Sequence, residues 1–385
     1  MSQSTEVVSA KKEKIFFPNL DGLRFFSFII VFFSHIFATQ YDYIKEEGWY
    51  QVFKGRLFGD GDMGVSFFFV LSGFLITYLL IKEKQLTGKV HISSFYIRRT
   101  LRIWPLYYFC VLFGFIAFPV LKSAFGQVPN ETADPFLCSI FLNNFNAIYN
   151  GPPDSSILSV LWSVAIEEQF YLLWPILFYL ASPKQYKFIF LGVIIISIIY
   201  RTVYINQALD LLTLGVISDM AIGGLGAYLS IASISFLLKM EKIPGWVHLI
   251  PYIVTGFLIY YRKDLFHNGN MIMTVFQRLI VSFFFIWIIL EQNFSKRSLF
   301  KISSLKTISK LGKYTYGLYC LHTLALLVVA TGLAKLGINK HSWQLWLIEL
   351  PVALALSIFL SYISYHYFEK RFLKLKDRFA FIVKE

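Results

Sequence analysis

The chain has 385 residues, of which 56% are hydrophobic, 19% aromatic and only 15% charged. With a mean hydropathy of +0.59, this excludes a soluble globular domain, a disordered chain and a disulfide scaffold, since soluble domains carry about a quarter charged residues. The net charge of +13 would suit a nucleic-acid binder, but the basic residues alternate with long apolar runs and collect on one side of them, which fits a polytopic membrane protein.

A helix crossing the hydrocarbon core needs about 20 mainly apolar residues, because its backbone must satisfy its own hydrogen bonds. That ruler gives ten spans, at 22–40, 63–81, 103–120, 160–182, 188–206, 211–238, 245–261, 271–290, 314–335 and 343–368. The expected fold is therefore an all-α bundle of about ten transmembrane helices. It divides into a cytoplasmic N-terminal segment (1–19), a transmembrane domain (20–369) and a basic cytoplasmic tail (370–385). Lys11, Lys12 and Lys14 precede the first apolar run without a small-residue cleavage site after it, so that span reads as a retained signal anchor.

The first span carries Arg24 and His35. Eleven residues at 100° each is three turns plus about 20°, so both side chains share one face, about 16 Å apart along the axis. An ionisable group inside a bilayer is costly and is a functional candidate by default. One reading is a cleft in which Arg24 holds an anionic or carbonyl group and His35, with a pKa near neutrality, accepts a proton. The other is a snorkelling anchor plus a histidine bonded to a neighbouring helix, and spacing alone leaves both open. The second span opens Gly64-Val65-Ser66-Phe67-Phe68-Phe69-Val70-Leu71-Ser72-Gly73-Phe74, where Ser72 and Gly73 permit close helix approach.

Before the third span, Arg98, Arg99 and Arg102 lie among aromatic residues. Arg98 and Arg102 are an i, i+4 pair and Arg99 and Arg102 an i, i+3 pair, which suits an anionic, phosphate-bearing ligand from the cytoplasm, although positive-inside anchoring would explain one or two of them as well. Cys110 and Cys320 fall inside spans and, with Cys138, show no metal spacing. The longest loop, 121–159, has the Pro152-Pro153 pair and several asparagines and reads as an ordered outer loop dipping back towards the membrane. The fourth span begins Trp162-Ser163-Val164-Ala165-Ile166-Glu167-Glu168-Gln169-Phe170-Tyr171. Either carboxylate could orient His35 or an acceptor hydroxyl, or simply favour the helix N-terminus. His322 lies in the ninth span, and His366 and Glu369 near the end of the tenth. The seven histidines are dispersed and imply no metal site.

Ten spans put both termini on one side. On that side fall 25 of the 36 Lys and Arg residues, against 9 opposite and 2 (Arg24 and Arg278) within spans. The positive-inside rule makes the former side cytoplasmic.

Several of these stretches, in order, resemble the acyltransferase 3 family of integral membrane acyltransferases. Leu20-Asp21-Gly22-Leu23-Arg24 followed by His35 is similar to its first-span motif, and Gly64–Phe74 to its second-span motif. Arg99-x-x-Arg102 matches its arginine pair, and Trp162–Tyr171 its Glu-Glu-Gln-Phe-Tyr motif. Tyr319-x-x-His322 and Phe368-Glu369-Lys370 also fit. The resemblance implies a stand-alone form without an SGNH domain, in the inner membrane. It implies O-acyl transfer, commonly acetyl, from cytoplasmic acyl-CoA to a hydroxyl of an extracytoplasmic carbohydrate or other cell-envelope acceptor, with no metal. His35 is then essential, as general base or through an acyl-His intermediate. Arg24 and Glu167 join it in catalysis, Arg98, Arg99 and Arg102 hold the donor, and Glu168, Ser72 and His322 contact substrate. Ser66 departs from the family pattern, where an Asp is common. The competing class is a transporter or flippase for a glycan or lipid-linked precursor, which would move its substrate without consuming acyl-CoA.

Overall fold

The computed structural model describes residues 13–14, 17–59, 61–124, 126–266 and 270–383. Ten principal helices occupy the ten expected spans: α1 (Pro18–His35), α2 (Asp62–Thr87), α3 (Ile92–Leu112), α4 (Leu161–Leu180), α5 (Tyr186–Val203), α6 (Thr213–Ala232), α7 (Leu249–Tyr260), α8 (Met271–Phe294), α9 (Thr315–Lys335) and α10 (Leu350–Ile363). The chain is an all-α membrane bundle, and among the described residues seven helical stretches are long and apolar enough to cross a bilayer. Three of the ten fall outside that set. Helix α7 is short, with 12 residues, whereas α1 and α4 lose hydropathy to their own polar residues, Asn19, Asp21, Arg24 and His35 in one and Glu167, Glu168 and Gln169 in the other.

Small differences from the expected boundaries have local causes. Pro18 occupies the first turn of α1, where its missing N–H costs nothing, and the helix ends at His35 rather than running to residue 40. There Ile36 turns extended and Phe37 adopts φ 61°, a left-handed conformation uncommon for an aromatic residue. It is held because Phe37 is fully buried against Trp49, Phe53 and Trp346. The Lys54 ammonium caps the end of α1 by donating to the carbonyls of Ser34 and Ile36 at 2.5 and 2.9 Å. The expected sixth span breaks at Ser233, which caps the next short helix, Ile234–Lys242.

Glycines bring α2 and α6 into backbone contact. A Cβ on Gly73 would meet the Met220 carbonyl oxygen at 2.1 Å, and one on Gly223 the Val70 carbonyl oxygen at 2.1 Å. The loop after α3 packs against the bundle and against α3. Asn144 donates to the Leu211 carbonyl and to Thr213, and the Tyr107 hydroxyl bonds the Cys138 carbonyl and Asn143. All three cysteines are free and buried. A two-residue parallel pair, β1 (Glu13–Lys14) with β2 (Ile382–Val383), ties the two ends of the described chain together on one face. The lysines at 11 and 12 lie outside the described residues.

Candidate active site

Three neighbouring cavities run through the bundle from the face that holds the termini towards the opposite one. The first, about 160 Å³, is lined by Arg24, Arg98, Arg99, Arg102, Glu83, Lys376 and Phe381. The second, about 120 Å³, shares Arg24, Arg99 and Arg102 with it and continues past Ser72, Glu167, Tyr171 and apolar Phe68, Phe69 and Ile76. The third, about 450 Å³, holds His35, Trp162, Asp62, Asp210 and Arg262. Val65 and Tyr319 line both the second and third cavities, so these two side chains form the partition between Arg24 and His35.

The cationic end is built on α1 and α3. Arg24 donates to Asp21 at 2.9 Å and so loses part of its charge to an internal partner. Arg98 is tied down further: it donates to buried Glu83 at 2.8 Å and to the Phe379 carbonyl at 2.8 Å. Among the described residues Arg99 and Arg102 make no hydrogen bond. The Arg99 guanidinium lies between the Phe95 and Tyr171 rings, 5.4 and 5.5 Å from their centroids, and its buried Nε has no partner. Glu167 is the carboxylate that shares the second cavity with them, and two guanidinium groups without a direct hydrogen bond leave donors for a further anion.

Glu167 and Glu168 part company, as neighbours on a helix must. Glu167 faces the second cavity, accepting from Ser72 at 2.8 Å and from Tyr171 at 3.0 Å. Glu168 turns towards α3, accepts from Trp104 Nε1 at 2.9 Å and lines none of the three cavities. Both sit in the second turn of α4 or later, beyond the turn where a helix dipole favours acids most. Neither meets His35, which corrects the expectation that one of them orients it.

The partner of His35 is His322. Its Nε2 lies 3.0 Å from His35 Nδ1, and its own Nδ1 lies 2.8 Å from the Tyr319 carbonyl and 3.2 Å from that of Leu318. A carbonyl only accepts, so His322 carries its proton on Nδ1 and offers a lone pair on Nε2. His35 must then donate from Nδ1, which leaves its Nε2 as the free basic nitrogen. Buried Phe28 packs edge-on against the His322 ring. His322 is itself fully buried whereas His35 is accessible, so His322 stands behind His35 and lines none of the three cavities. Ser72, likewise expected to touch substrate, spends its hydroxyl on Glu167 although it lines the second cavity. His366 pairs with the Tyr314 hydroxyl and Glu369 with Ser364, and neither lines these cavities.

Sequence reasoning passed over the far end of the passage. Arg262 pairs with Asp62 at 2.5 Å, and Arg278 bridges Asp210 at 2.7 Å and fully buried Asp219 at 2.8 Å. Ser66 donates to Asp219 at 2.8 Å. The carboxylate absent from position 66 is thus supplied by α6. Asp219 could have been found in the sequence as an acid inside the sixth span, but Asp62, Asp210 and Arg262 sit in loop-proximal stretches where charge is ordinary.

The profile of the acyltransferase 3 family, described as Acyltransferase domain, matches residues 17–366. Among curated proteins, the peptidoglycan O-acetyltransferase OatA of Listeria monocytogenes is 26% identical over 333 residues, covering 79% of this chain and 48% of that protein. The O-acetyltransferase OatA of Staphylococcus aureus strain NCTC 8325 is 33% identical over 168 residues, covering 42% of this chain and 24% of that protein. The chain thus spans about half or less of the length of these relatives. No solved structure matches it. A profile match from the start of α1 to beyond α10, over cavities lined by arginines, Glu167 and His35, shows that the chain belongs to the acyltransferase 3 family.

Proposed function

We propose that this membrane acyltransferase moves an acetyl group from acetyl-CoA to a hydroxyl of a cell-envelope carbohydrate, with peptidoglycan-type glycans the first class to test. The supporting observation is the set of cavities itself, with Arg99 and Arg102, which make no hydrogen bond among the described residues, at one end and an accessible imidazole with a free Nε2 at the other. The donor is polyanionic at its nucleotide end and thin along its pantetheine arm. Its phosphates fit the arginine cavity, and its arm fits the narrower apolar cavity beyond. The acceptor reaches His35 from the opposite face, where Trp162 offers a ring to a sugar and the Asp62–Arg262 pair offers polar atoms.

In the reaction, His35 Nε2 takes the proton of the acceptor hydroxyl as its oxygen attacks the thioester carbonyl. The C–S bond then breaks, the CoA sulfur leaves as thiolate, and the proton on His35 returns to it. The products are the O-acetyl ester and CoA thiol. Arg24 and Glu167 flank the route of the thioester in the second cavity. His322 holds the imidazole in the tautomer this needs.

His35→Ala, expressed in membranes at wild-type level, is expected to lower acetyl transfer by at least about 100-fold, read as acetylated glycan by mass spectrometry and as CoA thiol released. Wild-type transfer by that variant would remove His35 from the chemistry. Glycan movement without any release of CoA thiol would favour a transporter.

A further inference from the structure

We propose that the C-terminal segment Asp377–Phe381 is part of the donor site and that the Phe381 ring is the platform for the purine base of a nucleotide-bearing thioester; this rests on the acyl-CoA reading above. The segment is built into the cavity from several directions. Glu83, on α2 and only 2% exposed, accepts from the His91 backbone N–H at 2.8 Å, lies 3.2 Å from His91 Nδ1 and pairs with Arg98 at 2.8 Å. One buried carboxylate therefore fixes both an imidazole and a guanidinium at the cavity rim.

Phe381 stacks on that imidazole, with centroids 4.3 Å apart and planes at 23°. The same Arg98 donates to the Phe379 carbonyl and lies 5.9 Å from the Phe381 ring centroid. The β1–β2 pairing holds the chain immediately beyond. Lys376, Asp377, Ala380 and Phe381 line the same cavity as Arg24, Arg99 and Arg102. A half-buried aromatic ring, backed by the His91 imidazole and placed in one cavity with four arginines, combines the two features that bind a nucleotide: cations for phosphates and a flat apolar surface for the base. It also stands on the side of the arginines away from the apolar cavity, which is where the base of a donor must lie if its thioester points towards His35.

The experiment compares acetyl-CoA with S-acetylpantetheine, which has the same thioester but no nucleotide, using the full-length protein purified in detergent. For Phe381→Ala the KM for acetyl-CoA is expected to rise about tenfold, equivalent to about 1.4 kcal/mol, while the KM for S-acetylpantetheine moves less than twofold. Phe381→Trp is expected to keep the wild-type KM ratio. Adenosine 3′,5′-bisphosphate, titrated calorimetrically, should bind the wild type and lose about tenfold in affinity with Phe381→Ala. Equal KM changes for both donors would make Phe381 a packing residue and overturn the proposal, as would an unchanged acetyl-CoA KM. If the wild type turns over S-acetylpantetheine or another acetyl donor but not acetyl-CoA, the donor reading itself falls and this inference with it. That result is distinct from one in which acetyl-CoA is used but Phe381 is silent.

Discussion

His322 has no access to solvent, yet it decides which nitrogen of His35 is basic. With its own proton committed to the Tyr319 carbonyl at 2.8 Å, it can only accept from His35 Nδ1 at 3.0 Å. Remove it, and His35 loses the bond that selects its tautomer and ring orientation. His322→Ala is therefore expected to lower kcat by about 10- to 100-fold while leaving the KM for the acyl donor within twofold, because the arginine cavity lies beyond the Val65–Tyr319 partition. His322→Gln, whose amide oxygen can accept the same bond, should recover part of the loss. Steady-state rates in membranes at matched protein level decide it, and unchanged kcat in the alanine variant would refute the tautomer assignment. At this scale the sequence was informative wherever an ionisable residue interrupts an apolar run, as Arg24, His35, Glu167 and His322 do. It was silent on pairings, because Glu167 and Glu168 look alike in sequence and only the helix orientation sends one to Ser72 and the other to Trp104. Tyr319 is marked in the sequence by its spacing from His322, but nothing there says that its ring stands between two cavities.

The loop between α3 and α4 is where an element's stability depends on charge. Lys122 donates to Asp154 at 2.5 and 2.7 Å, Asp154 also accepts from the Asn130 backbone, and Glu131 accepts from the N–H groups of Ala133, Asp154 and Ser155. The Lys122 hydrogen bond holds the Asp154 carboxyl below the usual carboxylate range. A carboxyl with a depressed folded pKa adds stability above its unfolded value, near about 4, and that contribution disappears as pH falls through the folded value. The pair is partly solvated, so its contribution is about 0.5–1 kcal/mol. Asp154→Asn should thus speed amide exchange in residues 121–159 by about two- to fivefold at pH 7, and the two proteins should converge as pH falls through the lowered folded pKa. A difference that persisted at acid pH would assign the effect to packing. The elements themselves were legible, since hydropathy located a helix in every expected span. Their ends were not: α1 stops at His35 because Phe37 finds a buried aromatic nest contributed by residues 49, 53 and 346, and no local pattern announces a contact over 300 residues of sequence.

For the whole molecule, the order of the cavities and the distribution of charge make one joint demand. The arginine cavity opens beside the paired ends of the described chain, and in the ten-span reading of the sequence the side assigned to those ends carries 25 of the 36 basic residues. If the positive-inside rule holds here, the donor enters from the cytoplasm and the acceptor from outside, with the chain acting across the membrane rather than at either surface. Membrane vesicles of opposite sidedness separate these cases, because acetyl-CoA does not cross a bilayer unaided. Inverted vesicles, which expose the cytoplasmic face, should release CoA thiol from added acetyl-CoA and acetylate acceptor in the lumen. Right-side-out vesicles should do neither until they are permeabilised. Val65→Trp, placed in the partition, should stop transfer in both preparations, yet inverted vesicles carrying it should still bind adenosine 3′,5′-bisphosphate at wild-type affinity, since that cavity lies on the near side of the block. Equal activity in both intact vesicle types would mean that donor and acceptor meet on a single face, and the passage through the bundle would then be no route for the acyl group.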